Sequence, residues 1–389
     1  MENKIVVYHF HNGCGGGVLT VIKNLLKFSD NCFIENHIIH VVNKTLLPNF
    51  VIEPIIGVTT QQLFYYTSEN NFYYTCKQLS KLLPNEKVVI VAHDWIELGM
   101  ASNLGLQNPV IQILHGNYDY YYNLSIDNNN AIDVFICISQ KIFNTLKAKL
   151  PSRNEDILFL RFPVPELALI SKNNDVLQII YYVTNLKDDN KQFTTIIEIA
   201  TQLSKTPEKY FFTIAGGVMT PEEFLEIWPV NMKHRVNFLG YQTNDAILKI
   251  LPTQDIFLLP SKKEGLPISL IEAMKAGVVP LITAWDGGVE ELVSDNLTGF
   301  NFNIGDSKKY IECIIFLQAN ARVLKMLSNN CIKKATEQFK PFENTRNIEN
   351  SIRQYSNIGN KKRPSKVYGS RLDHPLIPNK ITSLIRKIL

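Results

Sequence analysis

The sequence predicts an α/β protein made of two doubly wound, parallel-sheet (Rossmann-like) domains. Three observations predict it. Apolar strand-like runs alternate with stretches of helical spacing along most of the chain, the mark of repeated strand–helix units. The alternation restarts near residue 177, after a segment where Pro163 and Pro165 favour extended chain. A chain of 389 residues also exceeds what one ordinary core organises.

The first domain, residues 1–168, opens on the β-branched and aromatic run 5–10. A glycine cluster follows, and residues 18–28 then show helical spacing. Further strands are expected at 38–42, 88–92, 110–114 and 134–138, with 68–83 as a helix rich in Tyr and Phe and 128–130 as a loop. The second domain, residues 169–340, begins with a strand at 177–183 and a helix at 195–203. Strands at 211–215, 236–239, 256–259 and 279–282 continue the alternation. Residues 341–358 are expected to form a helix returning to the first domain, and 359–389 a basic tail. Ligands of open parallel sheets sit at the carboxyl ends of the strands, and two facing sheets make the cleft between them the expected site.

Composition narrows the class. A hydrophobic content of 45% with 20% charged residues suits a globular body rather than a disordered chain. No apolar run is long enough to span a bilayer, and the start shows no signal-peptide pattern. Six scattered cysteines without a Cys-x-x-Cys pair read as buried free thiols, which points to the cytoplasm. The net charge of +4 is uneven: residues 359–389 hold eight Lys or Arg against Asp373, a net +7, which leaves −3 for the rest. The basic character is terminal, so no nucleic-acid face is expected on the folded body. Within that tail, Ile381, Leu384, Ile385, Ile388 and Leu389 share one helical face, accompanied by Lys380, Arg386 and Lys387. Segment 379–389 could therefore lie on an anionic membrane surface as a peripheral anchor, or simply dock on the body.

The most informative stretch is 260–274, where seven residues separate Glu264 from Glu272. A strand ends in a loop carrying Glu264 and Gly265, and a helix starts near Pro267, which suits a first helical position. No Ser, Thr, Asp or Asn stands just before it, so the first amides lack an evident side-chain cap. Bare amides at a helix start attract an anion, and the helix dipole adds to the attraction. With an acidic acceptor on either side, a diphosphate bearing hydroxyl groups would suit the place: a nucleotide-sugar.

Other motifs are less specific. The run Gly13-Cys14-Gly15-Gly16-Gly17 lets backbone approach a phosphate, but also reads as a plain tight turn or a dinucleotide loop. Against the dinucleotide reading, Val18 stands at the third glycine position and the second strand runs into Asn43 rather than an acid. His93-Asp94 and His115-Gly116 end two strands, where they could bind sugar or make structural hydrogen bonds. The histidines lack metal-ligand spacing, and no Asp-x-Asp occurs, so no metal site is expected. Residues 187–191 could hold phosphate through Lys191 or be a solvated charge run.

Three ordered motifs carry a resemblance: Val236-Asn237-Phe238-Leu239-Gly240-Tyr241, then Glu264-Gly265-Leu266-Pro267 through Glu272-Ala273-Met274-Lys275-Ala276-Gly277, then Gly287-Gly288-Val289-Glu290-Glu291 with Asn296-Leu297-Thr298-Gly299. Over about residues 230–305, with weaker echoes back to residue 5, they resemble the donor-site signature of retaining glycosyltransferases of family 4, the glycosyl transferases group 1 with the GT-B fold. The resemblance implies a UDP- or GDP-linked donor and no further cofactor. It implies retention by front-face attack, in which the departing phosphate helps deprotonate the acceptor. It assigns Glu264 to the transferred sugar, Glu272 to the ribose hydroxyls, and Gly265 and Leu266 to backbone contacts. Gly16 and Gly17 would face the donor phosphates, His115 would reach the donor sugar, and His93 and Asp94 would line the acceptor side. Lys191 matches the family lysine on the diphosphate. The family's glycine-arginine-leucine turn reads Thr184-Asn185-Leu186 here, so Asn185 replaces a permanently charged, bidentate donor. Either Lys191, helix amides and Lys262 or Lys263 compensate, or the activity is reduced or altered. The implied acceptor is a sugar or lipid-linked precursor of surface polysaccharide or glycolipid. Rival readings are a nucleotide-sugar epimerase, a non-catalytic sugar-nucleotide-binding homologue and, more distantly, a nicotinamide oxidoreductase.

Overall fold

The computed structural model describes residues 4–172, 176–207, 209–285, 287–356 and 369–388. Lys361, Lys362, Arg363 and Lys366 of the basic tail, and Leu389 of its apolar face, lie outside the described residues. The chain divides into two compact units: Met1–Pro163 with Pro341–Leu389, and Val164–Lys340.

The first unit runs β1 (Ile5–His11), α1 (Gly17–Lys27), β2 (Ile34–Asn43), β3 (Thr60–Tyr66), α2 (Phe72–Leu79), β4 (Val89–Ala92), α3 (Trp95–Leu104), β5 (Val110–Leu114), α4 (Asp119–Asp127), β6 (Val134–Cys137), α5 (Gln140–Lys149) and β7 (Ile157–Phe159). Its seven strands pair in the order β3-β2-β1-β4-β5-β6-β7, every pair parallel. Every residue of β4, β5 and β6 is buried, as strands covered on both faces should be. α1 covers the sheet with Val21, Ile22, Leu25 and Leu26, one stripe at helical spacing.

The second unit runs β8 (Leu177–Asn185), α6 (Phe193–Leu203), β9 (Tyr210–Gly217), α7 (Pro221–Ile227), β10 (Val236–Phe238), α8 (Asn244–Ile250), β11 (Ile256–Leu259), α9 (Ile268–Lys275), β12 (Val279–Thr283), β13 (Phe300–Phe302), α10 (Ser307–Ala319) and α11 (Ala321–Gln338). Its six strands order as β10-β9-β8-β11-β12-β13, again all parallel. One core joins Ile179 and Tyr181 of β8, Ile196 and Ile199 of α6, Phe212 of β9 and Leu258 of β11. Lys275 ties the unit's two ends together at the close of α9. Its buried ammonium donates to Val164 O at 2.8 Å, Phe339 O at 2.9 Å and Glu166 at 2.7 Å. The chain then re-enters the first unit as α12 (Pro341–Ser356) and α13 (Asn379–Ile388).

Four local expectations change. Residues 68–83 are not one helix: Asn71 caps α2 by accepting from Tyr74 N, and a 3-10 turn follows at Ser80–Leu82. β3 is an edge strand that the pattern concealed, because its start, Thr60-Gln61-Gln62, is polar. Pro267 precedes α9 instead of starting it, with φ −69° and ψ 124°, while the lack of a side-chain cap is as the sequence indicated. Four cysteines are buried but Cys14 and Cys32 are exposed, since each sits in a loop beside a strand end.

Candidate active site

Both sheets have one place where the strand order reverses, and ligands of such sheets bind outside the strand ends there. In the first unit it falls between β1 and β4, and in the second between β8 and β11. Gly16, Gly17, His93, Asp94, Asn185, Lys191, Glu264, Gly265 and Leu266 lie at or just after the ends of those strands, whereas His115 follows β5 and Glu272 lies within α9.

In the second unit the loops after β8 and β11 are laced together. Lys262 N donates to Asn190 O at 2.8 Å, Asn190 Nδ2 to Lys263 O at 2.9 Å, and Lys262 Nζ reaches Asp189 at 2.6 Å. This lacing brings Lys191 Nζ to within 2.5 Å of Glu264 Oε1. Neither side chain is fully covered, so the pair faces solvent on one side. Lys191 is anchored from behind, where Tyr181 OH donates to its carbonyl at 2.9 Å. A third loop joins in, as Gly288 N donates to Gly265 O at 3.1 Å. Gly287 permits the approach: a Cβ there would stand 2.8 Å from Glu264 O and 2.6 Å from Trp285 Nε1. Beside this pair begins α9, whose first turn has no side-chain cap. Gly265, Leu266 and Pro267 lead into it, Gly265 and Leu266 buried and Pro267 part-exposed.

Glu272 lies on α9 with only 1% of its surface exposed. Its carboxylate accepts from Asn244 Nδ2 at 2.8 Å and from Tyr182 OH at 3.4 Å. Burial pushes its pKa up to about 7, opposed by those two hydrogen bonds. Asn185 is turned into its own loop, where its side chain accepts from Lys187 N at 2.8 Å. Four participants escaped the sequence reading. Tyr182 and Asn244 hold Glu272, and neither type announces such a role. Ser261 Oγ and Trp285 Nε1, on the loops after β11 and β12, are buried without a hydrogen-bond partner among the described residues.

In the first unit the glycine loop after β1 is held by His11 Nε2 against Cys14 O at 2.8 Å. Gly16 caps α1 at φ 121° and ψ −161°, a conformation only glycine takes readily, and Gly17 is the first helical residue. Asp94 is committed to structure. It caps α3 in a reciprocal box with Glu97, and accepts from Asn12 Nδ2 at 2.8 Å and from Tyr120 OH. Burial lifts the Glu97 pKa to about 7.

His115 belongs to a chain of imidazoles across β1, β4 and β5. His93 Nδ1 lies 2.8 Å from His115 Nε2, and His93 Nε2 lies 3.2 Å from His9 Nδ1. Burial lowers all three, His115 to about 3, His9 to about 4 and His93 well below the usual range. They are neutral at pH 7, so each ring has one N–H. When His93 donates from Nδ1, His115 accepts at Nε2 and keeps its proton on Nδ1. Among the described residues no group of three or more His, Cys, Asp or Glu side chains could hold a metal ion.

Two Rossmann-like parallel-sheet domains in one chain define the GT-B class of fold. Residues 169–338 match the family model described as glycosyl transferases group 1, so this segment is similar to that family. Over 134 residues the chain is 31% identical to an Escherichia coli UDP-Gal:alpha-D-GlcNAc-diphosphoundecaprenol alpha-1,3-galactosyltransferase, covering 34% of each chain. Over 227 residues it is 25% identical to a Campylobacter jejuni N,N'-diacetylbacillosaminyl-diphospho-undecaprenol alpha-1,3-N-acetylgalactosaminyltransferase, 58% of this chain and 55% of that one. The chain spans about a third of the length of the first curated relatives it matches. Among solved structures, Anabaena HepE in complex with UDP-glucose shares the fold, with a TM-score of 0.70, 15% identity, and coverage of 90% of this chain and all of that one.

Proposed function

We propose that the protein is a retaining glycosyltransferase that moves a sugar from a UDP- or GDP-linked donor to a hydroxyl acceptor. The observation that carries the proposal is the Lys191–Glu264 pair beside the uncapped start of α9, on loops laced at the switch point of the second sheet. The similarity of residues 169–338 to group 1 glycosyl transferases supports it. The undecaprenol-linked acceptors in the relatives' names support a lipid-linked acceptor, in glycolipid or surface polysaccharide assembly.

In this reading the diphosphate sits at the amides opening α9. Lys191 has three N–H donors, so it can keep Glu264 and still hold a phosphate oxygen. Glu264, with the backbone of Gly265 and Leu266, borders the transferred sugar. Glu272 takes the ribose hydroxyls once Asn244 swings away. Gly16 and Gly17 are assigned to the phosphates, and neutral His115 offers its remaining N–H to a sugar oxygen. His93 fixes the tautomer of His115 and, with Asp94, stands on the acceptor side. The bond from the anomeric carbon to phosphate breaks and its electrons stay on the nucleoside diphosphate. The acceptor oxygen bonds to the same face, and its proton passes to the departing phosphate. Amides and lysine stabilise the leaving charge, so no metal is required.

A transfer screen over UDP- and GDP-linked sugars with short lipid-diphosphate acceptors tests the proposal. Product with the anomeric configuration of the donor is expected; an inverted product, or product only with added divalent metal, overturns the mechanism. One observation favours a second reading, a non-catalytic sugar-nucleotide binder: Asn185 is spent on its own turn and brings no charge to the phosphates. Tight UDP or GDP binding with no transfer to any acceptor would establish that reading instead.

A further inference from the structure

α13 is seated with its polar side inward. Thr382 is fully buried and its hydroxyl donates to Leu372 O at 2.8 Å. Asn379 Oδ1 accepts from Asn71 N at 2.7 Å, and Ser383 Oγ donates to Glu69 O at 3.3 Å. Arg386 grips both carboxylate oxygens of Asp373, at 3.0 and 2.8 Å, and the carbonyls of Ser68 and Asn70. Asp373 accepts in turn from Phe72 N at 2.6 Å, at the start of α2. Together these bonds fix the rotation of the helix about its axis.

That rotation leaves the apolar stripe outside. Ile381, Leu384 and Ile388 are 50%, 62% and 78% exposed, and Leu376, just before the helix, is 84% exposed. Spacings of three and four residues align the first three on one face. A helix docked on a body ordinarily buries that face and wets the other. A contiguous exposed apolar stripe marks an interaction surface. Charge identifies the occupant. Lys380, next to Ile381 in the chain, and Arg371 are exposed, and the described residues 369–388 hold Arg371, Lys380, Arg386 and Lys387 against Asp373, a net +3. Lys387 adds less, because it pairs with Glu69 at 3.6 Å. Apolar side chains that enter the acyl boundary, with cations level with phosphate headgroups, suit an anionic bilayer surface. Among the described residues no helix is long and apolar enough to cross a membrane, so the contact would be interfacial.

We propose that α13 seats the protein on an anionic membrane surface through Ile381, Leu384 and Ile388, with its polar face remaining docked on the first unit. The proposal does not depend on the transfer chemistry. Its test is co-sedimentation of the full chain with vesicles of phosphatidylcholine alone and of phosphatidylcholine mixed with phosphatidylglycerol. Binding to the anionic vesicles is expected, weakened at 1 M salt. Lys380→Ala should cut it about fivefold. The triple variant Ile381→Ser, Leu384→Ser, Ile388→Ser should cut it by more than about tenfold, with unchanged thermal stability because these side chains meet solvent. Failure of the wild type to bind anionic vesicles overturns the proposal, and so does equal binding by the triple variant. A concentration-dependent dimer that the triple variant abolishes assigns the stripe to a second copy and overturns it as well.

Discussion

Replacing Glu272 by Gln should flatten the pH dependence of stability. Glu272 is 1% exposed, and burial raises its folded pKa from an ordinary 4.5 to about 7. The folded state therefore holds this proton more tightly than the unfolded state. Stability from this group is complete below the ordinary value and is lost as pH rises through the folded value. At about 1.4 kcal/mol for each pH unit between the two values, about 3 kcal/mol disappears between roughly pH 4.5 and 7. Gln keeps the shape, with its oxygen toward Asn244 and its amide toward Tyr182, yet it cannot ionise. Urea unfolding of both proteins at half-unit steps from pH 4.5 to 8 measures the effect. The wild-type minus variant difference should drop by about 3 kcal/mol over that range. Glu97 also titrates near pH 7, but it is present in both proteins and cancels in the difference. Parallel stability curves would refute the burial of an ionisable carboxyl whose desolvation outweighs its hydrogen bonds from Asn244 and Tyr182.

Lys191→Ala should weaken UDP or GDP binding by about tenfold to a hundredfold, the value of a charged hydrogen bond to phosphate, as read by calorimetry. The same change should cost about 1–3 kcal/mol of stability, because it leaves Glu264, only 13% exposed, without its ion partner; undiminished affinity would remove Lys191 from the phosphate site. Gly287→Ala should lower stability by about 1–3 kcal/mol, since its Cβ meets Glu264 O and the Trp285 indole, and a melting temperature equal to wild type would show the loops are not tightly laced. Adding a chelator to purified protein should leave transfer rates intact; strict recovery with magnesium or manganese would require a metal-held diphosphate.

The two-sheet architecture was readable because buried parallel strands are nearly continuous apolar runs, as at 110–114 and 256–259. β3 and the first residues of β2 were not, because polar groups there are satisfied by tertiary contacts. His37 Nδ1 lies 2.7 Å from Thr60 Oγ1, and Asn36 Nδ2 donates to Ser29 Oγ at 2.9 Å. Lys191 and Glu264 were legible as separate motifs, yet their union depends on the lacing of Asn190 to Lys263, which no spacing encodes. The part-buried Asn244–Glu272 bond joins residues 28 apart on two helices and left no local signal. The orientation of α13 was undecidable from its periodicity alone. Arg386 and Thr382 find partners in the first unit that outweigh the pull of the apolar stripe toward the body.

The first unit is assembled from both ends of the chain, while the second is a single uninterrupted stretch. During synthesis the ribosome finishes residues 164–340 before it makes α12, whose Glu349 accepts from Ser29 Oγ at 2.5 Å and Asp30 N at 3.0 Å. The first unit therefore stays incomplete until α12 has been synthesised. A premature stop near residue 340 would release a complete second unit joined to a first unit missing its closing helices, a natural target for quality-control proteases.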